Sequence, residues 1–90
     1  MNFVSDDTLF EFPCSFPIKI MGKDIPKLHQ TVREIIQKHV ENISDDAFKT
    51  RKSNKGTYIS ITVTITAKNK QQLDAIYLEL TASQYVSMCL

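Results

Sequence analysis

Apolar and polar residues alternate without a break from Thr57 to Lys68, TYISITVTITAK. Ile59, Ile61, Val63, Ile65 and Ala67 form one set, and Tyr58, Ser60, Thr62, Thr64 and Thr66 form the other. Period two over this length predicts a strand with one buried face and one polar face. β-branched residues fill both sets and suit a pleated surface. The chain therefore holds a sheet covered on one side only, with residues 57–68 as a central strand.

Residues 1–12 lack periodicity and carry Asp6, Asp7 and Glu11. They read as an arm ahead of a single domain over 13–90, with Leu9, Phe10 and Phe12 able to pin its end to the core. Pro13 and Pro17 bracket Cys14, Ser15 and Phe16. Proline cannot donate to a ladder, so a well-paired strand should begin after Pro17 or hold it at a non-bonded position, and the first strand is expected at Ile18–Met21. Phe16, Ile18 and Ile20 would share its core face, Lys19 would point the other way, and Gly22 would end it. Asp24 is the expected N-cap of a helix with Pro26 in its first turn. Ile25, Leu28, Val32, Ile35, Ile36 and Val40 follow helical spacing, with Lys27, Gln30, Glu34, Gln37 and Lys38 opposite.

A polar connector follows at 42–46, then a weaker, cation-rich strand at 47–52. Ser53-Asn54-Lys55-Gly56 is a turn in which Asn and Gly suit positive φ, joining that strand to 57–68 as a hairpin. Asn69 and Gln72 match a capping box, and Leu73, Ile76, Tyr77 and Leu80 form the stripe of a second helix. A last strand is expected at 85–90, with Val86, Met88 and Leu90 on one face. The order β-α-β-β-α-β with right-handed crossovers implies a four-stranded antiparallel sheet in the order 4-1-3-2, both helices on one face. This is an α+β, ferredoxin-like sandwich.

Composition narrows the function classes. Ninety residues make one domain. The net charge is +1, so no global field favours nucleic acid or an acidic membrane. No apolar run reaches the roughly 18–20 residues that span a bilayer. The N-terminus lacks a basic region followed by an apolar one, as a secretory signal would have. The two cysteines are too few for a disulfide scaffold. A cytoplasmic protein with reduced thiols is expected.

Local chemistry is sparse. His29 and His39 are ten residues apart on the first helix, about 15 Å along its axis and roughly 80° around it, so they cannot share a metal. The first and last strands run side by side, so Cys14 and Cys89 could be neighbours, but Cys14 is expected on the core face and Cys89 on the open face, and unless Pro17 shifts the register no disulfide forms between them. Lys49, Arg51, Lys52 and Lys55 cluster on the hairpin. Such cations guard an edge strand, or contact phosphate or an acidic partner. An RNA-recognition motif would place aromatics on the third strand after a Lys-Gly step. Here Lys55-Gly56 precedes Thr57, Ile59 and Thr62 hold the other aromatic positions, and Tyr58 is out of phase. Nucleic acid is therefore disfavoured.

The polar sheet face would present Lys19, Tyr58, Ser60, Thr62, Thr64, Thr66 and Ser87, either as a hydrated face or as a partner surface. It carries no His or acid to act as a base, and no Gly-rich phosphate loop occurs in the chain. The terminal YVSMCL is apolar, uncharged and expected at an edge. A homodimer would use this edge or the open face.

Glu11-Phe12-Pro13, Phe16, Lys19 and Met21-Gly22 resemble the opening motif of the YbeD-like family of small bacterial proteins. The match continues through Pro26, Ser53, Lys55-Gly56, Tyr58 and Ser60 to Ile76-Tyr77, Leu80, Val86, Met88 and Leu90, and spans residues 9–90. The departures are the longer acidic arm before Leu9 and the presence of Ser87 and Cys89. The resemblance implies the βαββαβ fold, an ACT-like regulatory role linked to lipoate metabolism, and no catalytic residues. ACT-like domains bind effectors near the turn after the first strand, here Met21, Gly22, Lys23 and Asp24. The expectation is thus a non-enzymatic regulatory or adaptor domain without a cofactor or metal, which binds a small ligand or a protein. Its candidate surface is Lys19, Met21, Gly22, Tyr58, Ser60 and Thr62. The alternative is a nucleic-acid or phosphate binder that uses the basic hairpin.

Overall fold

The computed structural model describes residues 12–90. The expected arm lies outside the described residues except for Phe12, which packs partly buried against the core. The elements are β1 (Cys14–Lys23), α1 (Pro26–His39), a 3-10 turn (Asp45–Ala47), β2 (Phe48–Lys52), β3 (Tyr58–Ala67), α2 (Lys70–Ala82) and β4 (Met88–Cys89). The sheet order is β2-β3-β1-β4, with every pairing antiparallel. This is the expected order read from the other edge. Ile18 and Ile20 of β1 and the alternate residues Ile59 to Ala67 of β3 bury against Leu28, Val32 and Ile36 of α1 and Leu73, Ile76 and Leu80 of α2.

β1 is longer than expected and runs through both residues thought to bound it. Pro17 stands opposite Thr64 within the ladder. Lys19 and Met21, which share its alternation, turn their backbone groups toward β4. The Leu90 N–H donates to the Lys19 carbonyl at 2.8 Å, and the Lys19 N–H donates back at 3.1 Å. That ladder stops at Lys19, so the N–H that Pro17 lacks is not missed. Gly22 is buried, and a Cβ there would stand 2.4 Å from the Tyr85 carbonyl oxygen. The glycine marks a close backbone approach rather than a strand end.

Asp24 does not cap α1; Ile25 holds that position without a side-chain bond, and Pro26 follows it as expected. The Asp24 carboxylate instead accepts from His29 Nε2 at 2.8 Å and meets Lys52 Nζ at 3.5 Å, tying α1 to β2. α2 begins as expected: Asn69 Oδ1 accepts from the Gln72 N–H at 2.8 Å. The return bond differs from a capping box, because Gln72 Oε1 accepts from the Lys68 N–H, one residue earlier. Gln72 Nε2 also donates to the His39 carbonyl at 2.8 Å, which links the C-terminal end of α1 to the start of α2. In the hairpin only Gly56 takes positive φ (72°), whereas Asn42, after α1, adopts 58°. Ala47 belongs to the 3-10 turn, so β2 starts at Phe48. Arg33 covers the Phe48 ring at 4.4 Å and bonds Asp45 at 2.7 Å, fixing α1 over the start of β2.

The C-terminal strand is a correction. β4 is two residues long, not the six expected over 85–90. Cys89 pairs with Ile20 and packs toward the core, whereas Met88 pairs with Met21 and faces outward. Leu90, bonded to Lys19, shares that outer face, so Met88 and Leu90 are exposed and only Val86 of the expected trio packs against the core. Tyr85 and Val86 form part of a turn under Gly22, which shifts the alternation. Cys14 and Cys89 are both free. They lie on the same side of the sheet, contrary to the parity argument. Their separation comes from distance: Cys14 stands six positions along β1 from Ile20, the partner of Cys89, which is about 20 Å of strand.

Gly22→Ala is expected to cost about 2 kcal/mol by overpacking against Tyr85. Asn69→Ala should cost about 1 kcal/mol through the lost cap. Urea unfolding of the two variants measures both, and a Gly22→Ala cost near zero would mean that the Tyr85 segment yields.

Candidate functional site

The strand register sorts the side chains of the uncovered face into rows. Lys49, Thr62 and Lys19 stand side by side across β2, β3 and β1, followed by Leu90. The next row is Arg51, Ser60, Met21 and Met88. Beyond it, Tyr58 stands opposite Lys23. Strands lie about 4.8 Å apart, so Lys49 and Lys19 are about 10 Å apart at the backbone, with a threonine hydroxyl between them. A hollow of about 310 Å³ opens among Lys19, Met21, Arg51, Lys52, Tyr58 and Ser60.

This arrangement joins two surfaces that looked separate in the sequence. Lys19, Met21, Tyr58 and Ser60 of the expected partner surface line the same hollow as Arg51 and Lys52 of the basic hairpin. Thr62 lies one row away, between Lys49 and Lys19. Gly22 is not part of it, since it faces the core under Tyr85. Lys52 alternates out of phase with Lys49 and Arg51, and its ammonium reaches Asp24. Lys55 sits at the turn beside Tyr58, outside this hollow. Met88 and Leu90 were missed as surface residues because their apolar character argued for the core. A two-residue strand is too short for alternation to reveal its phase.

The charges are segregated. Among the described residues, no Asp or Glu stands on a strand. The acids among the described residues belong to the helices and connectors, where Arg33 pairs with Asp45, and Lys38 and His39 with Glu79, while Lys70 pairs with Asp74. Among the described residues, Lys19, Lys23, Lys49 and Arg51 form no ion pair. The open face is therefore a cationic field over β1 and β2, with hydroxyls between the charges and an apolar margin at β4. A field of that sign attracts negative charge. Among the described residues the open face carries no Asp, Glu or His side chain to move a proton. His29 and His39 lie in the helical layer, each against a carboxylate. Among the described residues, no group of three or more His, Cys, Asp or Glu gathers as a metal would require. No described helix is long and apolar enough to cross a membrane.

The family model described as "Protein of unknown function (DUF493)" matches residues 7–90. A UPF0250 protein of Chromobacterium violaceum is 43% identical over 82 residues, covering 91% of this chain and 92% of its own length. One from Paraburkholderia phytofirmans is 40% identical over 85 residues, covering 94% and 96%. The solution structure of protein HP0495 from H. pylori superposes with a TM-score of 0.68, covering 100% of this chain and 98% of that one at 15% identity. That likeness concerns the fold.

The shifted titrations lie away from the open face. The hydrogen bond from His29, reinforced by Lys52, holds the Asp24 carboxyl below its usual range. Lys38 and then His39 do the same for Glu79. Burial pushes the Cys89 thiol up to about 11. Burial, with Cys89 beside it, pushes the Tyr77 hydroxyl up to about 12, and that hydroxyl donates to the Leu90 carbonyl at 3.0 Å. The depressed carboxyls stabilise the fold above their ordinary values of 3.8 and 4.5, and that contribution is lost as the pH falls through their folded values. The thiol has the opposite sense. Above pH 9.0 the unfolded chain releases a proton that the folded chain keeps until about 11, so stability falls across that interval. Melting temperatures from pH 3 to 11 are expected to form a plateau that declines at both ends. Cys89→Ala should flatten the alkaline decline, and an unchanged decline would mean that the thiol is not its source.

Proposed function

This chain belongs to the DUF493 (UPF0250) family of bacterial proteins of unknown function, the YbeD-like family its motifs resemble, and we propose that it is a non-enzymatic regulatory or adaptor domain whose open sheet face receives an anionic ligand or partner. One observation carries the reading: Lys19, Lys23, Lys49 and Arg51 share a face on which, among the described residues, no Asp or Glu stands. Fixed cations of one sign in a shallow depression attract and retain carboxylate or phosphate groups. Tyr58 and Met21 supply apolar contact beside them. Lipoate, a carboxylate on an apolar chain, has this combination, and with the ACT-like resemblance it is the first metabolite to test. The domain would act in the cytoplasm.

The nucleic-acid reading draws support from Lys49 and Arg51, which project onto the same face as Lys19. It is the weaker one, because single strands bind by stacking on aromatics and, among the described residues, only Tyr58 offers a ring there. A homodimer would form through the β4 edge rather than face to face, where the cations of the two copies would oppose each other.

Thermal shift and NMR titration with lipoate, inorganic phosphate, polyglutamate and a 20-residue oligothymidylate test the reading. At least one anion is expected to bind, more weakly at 300 mM than at 50 mM salt, with shifts centred on Lys19, Arg51 and Tyr58. The double variant Lys49→Glu/Arg51→Glu should lose about tenfold or more in affinity. If none of the anions binds at low salt, the proposal is wrong.

A further inference from the structure

The open face is not uniformly basic. From β2 to β1 its rows hold Lys49, Thr62 and Lys19, and Arg51, Ser60 and Met21. From β1 to β4 the same rows end in Leu90 and Met88, which are 61% and 51% exposed. A polar-cationic strip and an apolar strip of Met21, Met88 and Leu90 thus run side by side along the strands. About one strand spacing separates them.

We propose that the occupant of this face is an acidic, amphipathic segment of a partner protein, with carboxylates over Lys19, Lys49 and Arg51 and apolar side chains on Met21, Met88 and Leu90. The inference rests on the anionic-partner reading above and names the class of partner. Charge complementarity requires the carboxylates. The apolar strip requires the amphipathic character, because a nucleic-acid backbone or a free phosphate leaves Met88 and Leu90 facing water. Flexible methionine side chains adapt to apolar partner surfaces of varied shape. A second copy of the chain stacked on this face would set cation against cation and leave the acids of the helical layer remote from it.

The experiment is selection of a random 16-residue peptide library on the whole protein, with counter-selection on the Lys49→Glu/Arg51→Glu variant. The enriched pool is expected to carry an excess of Asp and Glu interspersed with Leu, Ile, Phe or Met. Individual peptides, followed by fluorescence anisotropy, should bind about tenfold more weakly to Met88→Asp. Leu90→Asp is the second apolar-strip variant, and circular dichroism establishes that each variant folds. An enriched pool without an acidic excess overturns the proposal, as does binding indifferent to both apolar-strip variants, and so does a library that enriches nothing. If phosphate or oligothymidylate still shifts Lys19 and Arg51 in that last case, the anionic-face reading survives and only the amphipathic segment is lost. If no anion shifts them, both readings fail.

Discussion

Ten residues of β1 pair with ten of β3, from Cys14 opposite Ala67 to Lys23 opposite Tyr58. Side chains alternate across the sheet, so this one register decides which face every residue of both strands meets. It sets Ile18 beside Val63 and Ile20 beside Ile61, all fully or almost fully buried. Each such side chain contributes roughly 1.5–3 kcal/mol by leaving water. A slip of one residue in β3 would turn Thr62 and Thr64 toward the helices and its isoleucines toward solvent. The composition of the open face is thus a by-product of the core: once the isoleucines are inside, Lys19, Met21, Tyr58, Ser60 and Thr62 must be outside.

The distribution of acids completes that face. With every described Asp and Glu on a helix or connector, the ion pairs form around the helical layer, and among the described residues Lys19, Lys23, Lys49 and Arg51 have no acidic partner, Lys52 alone of the strand cations reaching Asp24. This arrangement costs the fold little. Two cations about 10 Å apart in water repel by about 0.4 kcal/mol, and salt reduces that further. A surface of one sign can therefore persist without threatening a small domain. The same cations on the β2 edge discourage strand-to-strand association. Edge protection is compatible with the partner recognition proposed for Lys49 and Arg51, since the register with β3 sets both side chains on the open face.

Much of the fold was legible because its signals are local and redundant. The alternation of residues 58–67 fixes β3, and the spacing of Leu28, Val32 and Ile36 and of Leu73, Ile76 and Leu80 fixes the two inner helix faces. Asn69 with Gln72 marks the start of α2. The misreadings have a common cause, which is context along a neighbouring strand. Pro17 is harmless because the β4 ladder does not reach it. Gly22 is needed because the Tyr85 carbonyl approaches it, not because a strand ends. Asp24 has better partners in His29 and Lys52 than a helix cap. Cys89 changes sides because the turn at Tyr85 and Val86 resets the phase of a strand too short to declare it. The candidate surface was half legible for the same reason: the residues were visible singly, and only the β2–β3–β1 register shows that Arg51 and Lys19 flank one hollow.

Gly22 connects this fold to its surface chemistry. The absent side chain lets the Tyr85 carbonyl settle against β1, and the chain then turns Cys89 inward and Met88 and Leu90 outward. Tyr77 holds the Leu90 carbonyl from the helical side, so the outward pose of Leu90 is fastened from within the core. The apolar margin of the open face is thereby built by close packing, whereas its cationic part is built by alternation alone. The two parts also differ physically. Attraction by the cations weakens with salt, while apolar contact at β4 does not depend on screening. A partner that used both would be drawn in by charge and retained by burial, and the division between the two lies along β1, the strand whose register the core has already set.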